Sequence, residues 1–519
     1  MIGALIPESI QNALLRRVDW RFLLPLGNAR NAVCLGDRTL SRAVSLIADT
    51  SGHADRSPSD VDFAVLVDPN PRTLRTAYVS LRPGGACYCE WHSPLVGGVR
   101  RARRTLEAAG FSEIASYWSW PAPRRGAPLF WVPLDAPQTL GRLMKMAPAT
   151  SVRRRLLRPI LYALWRLGAR VGVAGPFCTI AKKPGDAEVS SRGLLDQIRT
   201  GWHGWGLGRP PKRLFWALLT PGQRSINKVI AVVFADADRE PSMIVKIARV
   251  PDAGRALERE LANLRALEAS GRRDGTPRPL FLDDCLGSVA LGETVLSGEP
   301  LWTLLDERSY RRLALAVTDW LCDLASPQSL TPPELWWDRL VEPVLSEFAD
   351  SFGPVSDPDD VYHTRRVLLE VGELPLVFEH RDCSPWNVLV GQDGRIALPD
   401  WESAEPQGLP GLDLLYFLTY LAFFYDDAMK TGAFGASYRV ARDPTTFTGG
   451  VNAECEARYA DRVGVDSAVF PPLRLLTWLL HSRSEHEQLV VEHGREPGAS
   501  ALKTSLFLTL WREELRLAP

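Results

Sequence analysis

The sequence predicts two folded parts: an N-terminal α/β domain, residues 1–185, and a C-terminal α+β domain built as two lobes, residues 213–299 and 300–519. Apolar strand and helix patterns alternate through the first part. Between the parts, residues 186–212 are rich in Gly and Pro and have little periodicity, which predicts a linker. With 519 residues, of which 45% are hydrophobic, the chain can bury two or three cores.

The run from His380 to Asn387, which reads His-Arg-Asp-Cys-Ser-Pro-Trp-Asn, has the spacing of a phosphoryl-transfer loop. Such a reaction needs a carboxylate that orients the attacking hydroxyl, and oxygen ligands for metal ions. We therefore predict Asp382 as the catalytic base and Asn387 as a metal ligand. Arg381 belongs to the same loop. We expect His380 to support the loop by packing and hydrogen bonding rather than to shuttle a proton.

A β-hairpin is predicted directly after this loop. Two apolar runs, 388–390 and 396–398, flank the turn 391–394. The hairpin would deliver Asp400, the first residue of an Asp-Trp-Glu triplet, to the metal site as the main Mg²⁺ ligand. Glu402, the last residue of the triplet, is expected to have a structural role.

These motifs resemble the aminoglycoside phosphotransferase and choline kinase branch of the protein-kinase-like fold. The stretch 408–414 also fits that family, and the resemblance implies that Asp413 holds the catalytic loop by hydrogen bonds. It further implies ATP and Mg²⁺ as cofactors, and phosphorylation of a hydroxyl on a small-molecule, sugar-like or glycan acceptor. The branch generally has Gly where this chain has Arg381, which keeps the protein-kinase alternative open.

The smaller lobe of such an enzyme needs a lysine for the nucleotide phosphates and a helix glutamate that holds it. Lys246 lies in the middle of a predicted strand, and the predicted helix 255–267 carries Glu258 and Glu260. Glu260 is the better match because leucines follow it at helical spacing. By the resemblance, residues 292–301 form the hinge where adenine binds.

The stretch 220–228 stands where the phosphate-covering loop is expected. It has one glycine and no G-x-G-x-x-G pattern. A turn here could still offer backbone N–H groups to the phosphates, with Ser225 and Asn227 beside them. We therefore predict Ser225 and Asn227 as nucleotide-binding residues.

The acceptor site of this family lies among the helices after the Asp-Trp-Glu triplet, where acidic side chains receive amines. The candidate carboxylates are Asp426, Asp427, Glu485 and Glu487. Trp401 and Tyr425 are candidates for stacking on a sugar or a quaternary amine.

In the N-terminal part, the phrase Leu-Arg-Pro-Gly-Gly at 81–85, the stretch 106–111 and a final strand at 177–181 resemble the later half of class I S-adenosylmethionine-dependent methyltransferases. The cofactor half is reduced: Asp37 follows the first strand, and about 26 residues separate that strand from the next, room for a helix and a loop. We predict a truncated Rossmann-like domain that serves as a scaffold or recognition module. Asp37 and Asp68 are the polar residues to test.

Six arginines and no acidic residue lie between residues 151 and 170, interleaved with apolar side chains. A basic amphipathic helix either contacts anionic lipid at the inner face of a membrane or packs its apolar face on its own domain. The second arrangement is the commoner one, and peripheral membrane contact through 153–170 stays open.

Composition limits the remaining functions. The chain has 61 basic and 61 acidic residues, so no net charge favours nucleic acid as a partner. Its eight cysteines include no C-x-x-C pair, as expected of reduced thiols in a cytoplasmic protein. We find neither a signal-peptide pattern nor the ~20 consecutive apolar residues of a membrane span.

Two alternatives to an active kinase remain. The first is a catalytically silent kinase-like scaffold in a glycan-assembly or biosynthetic complex. The second is a methyltransferase with a regulatory kinase domain.

Overall fold

The computed structural model describes residues 8–517 except 25–30, 49, 53–59, 93–97, 124–127, 137, 147–175, 186–193, 221–227, 237, 239, 286, 326–328 and 494–495. It divides into two compact units. The first comprises Met1–Glu258 and Pro279–Val295, and the second comprises Arg259–Arg278 and Leu296–Pro519. The arginine-rich segment 153–170 lies outside the described residues.

The first unit is organised around one sheet. Its strands are β1 (Asn31–Leu35), β2 (Thr50–Gly52), β3 (Val61–Val67), β4 (Leu81–Trp91), β5 (Ser112–Trp120), β6 (Phe130–Pro133), β7 (Phe177–Lys182), β8 (Leu214–Leu219), β9 (Val229–Ala235), β10 (Met243–Ile247), β11 (Pro279–Cys285) and β12 (Ser288–Glu293). Its helices are α1 (Glu8–Arg17), α2 (Arg38–Val44), α3 (Pro71–Ser80), α4 (Gly98–Ala108), α5 (Gln138–Met146) and α6 (Leu194–Gly201). A further helix, α7 (Gly254–Ala269), begins in this unit.

Among the described residues, these twelve strands form a continuous sheet in the order β11-β12-β10-β9-β8-β6-β5-β7-β4-β3-β1-β2. The strands β2, β1, β3 and β4 pair in parallel. From β4 to the far edge, the pairing is antiparallel. β3 has a nearly unbroken run of buried residues, as expected of a strand in a parallel sheet covered on both faces.

In the N-terminal half of this unit, strands and helices are mixed along the chain up to α4, as predicted for an α/β domain. A Rossmann-like or methyltransferase-like domain is not confirmed. The stretch between β1 and β3 was expected to hold only a helix and a loop. It also contains β2, which pairs with β1 through Asn31 and Thr50. A three-residue edge strand has too few residues for its alternation to be recognised in the sequence.

The structure differs most from the sequence analysis where separate domains were expected. β6 pairs with β8 through Phe130 and Leu219, so the strands of the predicted smaller lobe continue the N-terminal sheet. Part of the predicted linker is α6, whose side chains Leu194 and Ile198 are buried, as is Trp202 directly after the helix. Their spacing of four residues is helical, but the glycines and prolines around it obscured the pattern.

A buried ion pair ties the N-terminal segment to the residues that follow β10. Asp19 and Arg249 are 0% and 2% exposed, and the guanidinium Nε and Nη2 lie 3.1–3.2 Å from the carboxylate oxygens. Arg21 adds a contact of 2.6 Å to the Arg249 carbonyl. Burial raises the pKa of Asp19, while the guanidinium of Arg249 opposes that rise.

We expect Asp19→Ala to destabilise the protein by about 3–5 kcal/mol, because it removes the buried carboxylate that accepts hydrogen bonds from the guanidinium of Arg249. Urea denaturation measures the loss. The double variant Asp19→Leu with Arg249→Met should recover much of it, since neither charge is then buried. Asp196→Ala, which breaks an exposed pair with Arg199, is the control and should cost under ~1 kcal/mol. Equal losses in both single variants would contradict the role given to this pair.

The second unit is mainly helical. Its helices are α8 (Glu307–Ala325), α9 (Trp337–Leu340), α10 (Glu342–Phe352), α11 (Pro358–Leu369), α12 (Leu412–Tyr425), α13 (Ala428–Thr431), α14 (Phe434–Arg442), α15 (Phe447–Val463), α16 (Phe470–His493), α17 (Ala499–Leu502) and α18 (Leu506–Leu517). Its short strands are β13 (Glu299–Pro300), β14 (Leu330–Thr331), β15 (Leu374–Pro375), β16 (Val377–Glu379), β17 (Leu389–Val390), β18 (Ile396–Ala397) and β19 (Glu405–Gly408).

The core of this unit surrounds α12, whose residues from Leu412 to Phe423 are all buried. No single helix in the described part of the chain has both the length and the apolar composition to cross a membrane. One bent pair, Phe447–Val463 with Ser467–Glu487, meets that test by length and composition only, with an angle of 117° between its arms.

Candidate active site

The loop after β16 is held by the first turn of α12. Asp413 accepts hydrogen bonds from the backbone N–H groups of His380 and Arg381, at 2.6 and 2.8 Å. The carboxylate is only 9% exposed, and burial raises its pKa while the two N–H donors oppose the rise. An acid in the first helical turn also interacts favourably with the helix dipole. This is the geometry expected of a residue that fixes the loop.

His380 is fully buried and is held at both ring nitrogens. Nε2 lies 2.9 Å from the Pro399 carbonyl, which can only accept, and Nδ1 lies 3.2 Å from the backbone N–H of Asp382, which can only donate. These partners fix the neutral tautomer with its proton on Nε2. Burial also lowers the pKa of His380. His380 therefore connects the loop to Pro399 by hydrogen bonds.

Arg381 has a left-handed backbone with φ of 63°, a conformation that costs energy in a residue other than glycine. Its Nε donates to Glu379 at 2.9 Å, and Glu379 also accepts from the Leu409 backbone N–H at 3.1 Å. Burial raises the pKa of Glu379 to about 7, and the guanidinium opposes this rise. Arg381 thus connects the residues before Asp382 to Glu379. The sequence analysis did not identify Glu379 as its partner.

Asp382 and Asn387 lie together, as their spacing predicted. Asn387 Nδ2 donates to the Asp382 carboxylate at 2.7 Å and to its backbone carbonyl at 3.1 Å. Burial raises the pKa of Asp382 to about 7, and the nearby charge of Asp400 adds to the rise. Because Asn387 uses its amide nitrogen for both bonds, neither of them uses its Oδ1, which can serve as a metal ligand.

The predicted hairpin is present as β17 and β18, which pair through Leu389 and Ala397. Asp400 follows it and has a positive φ of 73°. Backbone strain in a residue other than glycine is found preferentially at functional sites. The strand pairing and this conformation together hold Asp400 close enough to Asp382 for their charges to interact.

Side chains of α7 hydrogen-bond to the backbone of the Asp-Trp-Glu segment. The backbone N–H of Trp401 donates to Glu260 at 3.0 Å, and Asn263 Nδ2 donates to the carbonyls of Trp401 and Ala404 at 2.9 and 3.1 Å. Sequence reasoning missed Asn263, although it lies one turn after Glu260 on the same helix. Glu402, beside Trp401, is half-buried.

In the first unit, Lys246 lies on β10 and is 4% exposed. Its Nζ lies 3.1 Å from Glu293, which belongs to the neighbouring strand β12. Glu293 lies in the stretch 292–301 that was predicted as the hinge, and its ion pair with a lysine was not predicted. Of the two glutamates that the sequence analysis considered, Glu258 is exposed and Glu260 is fully buried. Both predicted phosphate-loop residues, Ser225 and Asn227, lie outside the described residues.

The candidate acceptor-binding side chains are buried, packed or already paired within the chain, so they are less available to a ligand than expected. Trp401 is fully buried and donates its ring N–H to the Leu398 carbonyl, so it cannot stack on a ligand. The ring of Tyr425 packs against Tyr310 and Phe447. Each of the four candidate carboxylates already has a partner within the chain. These pairs are Asp426 with Ser437, Asp427 with Lys430, Glu485 with the N-terminal backbone of α18, and Glu487 with Arg483.

Residues 225–446, which include the loop, the hairpin and Asp413, match the model of the phosphotransferase enzyme family. The C-terminal part of the chain therefore contains a phosphotransferase-family domain. A comparison with curated proteins finds no matching relative.

Solved structures similar to this chain include three aminoglycoside phosphotransferases. The gentamicin complex of APH(2″)-IIa is 12% identical, has a TM-score of 0.33 and aligns over 63% of this chain and 98% of its own. ADP-bound APH(2″)-Ib is 12% identical, with a TM-score of 0.34, and covers 61% and 98%. APH(3″)-Id from Streptomyces rimosus with ADP and streptomycin is 16% identical, with a TM-score of 0.32, and covers 52% and 91%. The assignment of the phosphotransferase-family domain rests on the family match.

Proposed function

We propose that the protein is an ATP- and Mg²⁺-dependent phosphotransferase that transfers the γ-phosphoryl group to a hydroxyl of a sugar-like or other small-molecule acceptor. The observation that carries this proposal is the arrangement of Asp382, Asn387 and Asp400 on a loop fixed by Asp413. Asp382 accepts the proton of the acceptor hydroxyl. Its raised pKa of about 7 suits a general base that works near neutral pH.

The donor set at this loop fits Mg²⁺. Asp400 offers a carboxylate and Asn387 an amide oxygen, which are the hard ligands that Mg²⁺ prefers. In the described residues, no group of three or more His, Cys, Asp or Glu could hold a metal by itself. Mg²⁺ in phosphoryl-transfer sites is completed by nucleotide phosphates and water, and it would neutralise the phosphate charge when bound. Asn387 would contribute Oδ1 while its Nδ2 orients the base.

The nucleotide-binding roles of Lys246, Glu260, Ser225 and Asn227 belong to the same proposal. Lys246 is supported by its burial on a central strand beside Glu293, because a buried lysine needs a charged partner. Glu260 is supported by its hydrogen bond to Trp401, which couples it to the segment that carries Asp400. We propose a cytoplasmic protein, supported by the free thiols among the described cysteines.

Turnover of ATP by the full chain tests the proposal. Purified protein is given Mg²⁺-ATP with and without methyl pyranosides, kanamycin, choline and short glycans. We expect turnover stimulated by an acceptor and abolished by EDTA or by Asp400→Asn. Asp393→Asn, an exposed change in the hairpin turn, is the matched control and should keep full activity. Clear ATP binding with no turnover for any acceptor would favour the catalytically silent scaffold instead.

For the N-terminal half of the first unit, we propose a methyltransferase-like scaffold or recognition module. Supporting this, Asp37 and Asp68 follow the carboxyl ends of the parallel strands β1 and β3, the edge at which open α/β sheets bind ligands. Stabilisation of the folded chain by S-adenosylmethionine, lost in Asp37→Ala, would instead indicate a cofactor-binding domain.

A further inference from the structure

Trp386 is an unusual residue for its position, since it is a large aromatic side chain on the catalytic loop that remains 37% exposed. It lies between Asp382 and Asn387 in sequence. Its backbone is fixed on both sides: Pro385 accepts a hydrogen bond from the Trp302 N–H at 3.3 Å, and Asn387 donates to Ser384 at 2.9 Å. The exposed ring is therefore held in place by the same turn that positions the base and its partner.

The ring is also supported by other aromatic side chains. Tyr420 and Phe424, one turn apart on α12, lie 5.0 and 5.9 Å from Trp386 at angles of 88° and 65°. Phe424 in turn stacks on Trp302 at 5.6 Å. Tyr420 is 5% exposed, so the cluster is anchored in the core and presents Trp386 to solvent. Such edge-to-face contacts favour a single ring orientation.

This cluster lies within electrostatic reach of the proposed base. Burial raises the pKa of the Tyr420 hydroxyl, and the negative charge of Asp382 adds to the rise. Asn387, the residue after Trp386, donates to the Asp382 carboxylate at 2.7 Å, so a ligand resting on Trp386 would lie beside the turn that carries Asp382.

The carboxylates among the following helices favour an uncharged ligand. Glu485 accepts hydrogen bonds from the backbone N–H groups of Leu506 and Phe507, at 2.8 and 3.3 Å, and so caps α18. An incoming amine would have to replace those bonds at a cost. Asp427 and Glu487 form exposed ion pairs with Lys430 and Arg483. A polyamine acceptor thus finds no unpartnered carboxylate at these positions.

We propose that Trp386 is the platform on which the pyranose ring of a neutral sugar acceptor stacks, with its hydroxyl directed to Asp382. This inference rests on the proposed phosphotransferase function and names its substrate class. The apolar C–H face of a pyranose packs on the tryptophan ring, as amphipathic rings do at binding surfaces. Selectivity for sugars over amines then follows from the ring and from the paired carboxylates.

Binding is tested on the full chain labelled with 5-fluorotryptophan. The protein has 17 tryptophans, and the ¹⁹F resonance missing from Trp386→Phe assigns Trp386. We expect this resonance to shift saturably with the methyl pyranosides of glucose, galactose or mannose. Trp120, which is 52% exposed in the first unit, should stay unshifted as an internal control. A Trp386 resonance that none of the three sugars moves, or that only choline or kanamycin moves, overturns the inference.

Kinetics separate this inference from the proposed function. Trp386→Ala should raise KM for the sugar by about tenfold, while Trp386→Phe should stay within about threefold of the wild type. Tyr362→Ala, an exposed aromatic on α11, should change neither constant. Failure of the proposed function would appear as absence of Mg²⁺-dependent turnover with every acceptor. Normal sugar turnover with an unchanged KM in Trp386→Ala would overturn the platform alone.

Discussion

Asp382→Asn is expected to lower acceptor phosphorylation by about 10³-fold, since a positioned general base contributes ~10²–10⁴ to the rate. The amide has nearly the same shape and can still meet Asn387, so the loss would reflect the missing base. Single-turnover assays with saturating Mg²⁺-ATP measure it. Activity within tenfold of the wild type would show that Asp382 does not act as the base.

The same variant should be more stable than the wild type in alkaline solution. Burial, with the charge of Asp400, raises the folded-state pKa of Asp382 from 3.8 to about 7. Ionised Asp382 therefore costs stability: the cost is absent below pH ~4, grows as the pH rises between the two values, and is complete above pH ~7. Asp382→Asn removes this cost. Thermal denaturation should show a gain at pH 8 that disappears near pH 4, and a gain independent of pH would contradict this origin.

Asp413→Ala is expected to destabilise the second unit by about 2–4 kcal/mol. It removes the acceptor of two buried backbone N–H groups, those of His380 and Arg381, and each unsatisfied donor costs ~1–3 kcal/mol. Activity should fall at the same time, because the loop that carries Asp382 loses its attachment to α12. Urea denaturation and turnover measure the two effects.

Asp461→Ala provides the matched control for this change, since Asp461 is an exposed acid on α15. It should alter stability by less than ~0.5 kcal/mol. Asp413→Asn should keep one acceptor oxygen, so its stability should lie between those of Asp413→Ala and Asp461→Ala. An Asp413→Ala variant as stable as the control would mean that the loop is held by other contacts.

Sequence-based prediction of the site worked best for contacts between residues that are close together in the chain. Asp382 and Asn387 are five residues apart, and the hairpin before Asp400 forms from local turn chemistry, so spacing alone was sufficient. The prediction for Asp413 came from the family resemblance and not from spacing. The missed residue Asn263 meets Trp401 from 138 positions away, and no periodic pattern records such a contact.

The sequence also failed to show how the strands of the first unit join. Residues 134–213 lie between β6 and β8, and the pairing of these strands depends on which edges meet rather than on the pattern within either strand. The sequence also did not show whether the four candidate acceptor carboxylates are available to a ligand. Whether an acid is available or already paired depends on its tertiary neighbours, as the cap that Glu485 provides to α18 illustrates.

The pairing of β6 with β8 also determines where this chain can be cut. A fragment that begins after residue 212 would carry the residues that match the phosphotransferase family, yet Leu218 and Leu219 of β8 would lose their pairing partners in β6. Exposed strand edges promote aggregation. Within the intact chain, β6 therefore covers this part of the edge of β8. Transferring the residues after 212 to another protein would require a replacement strand for β6.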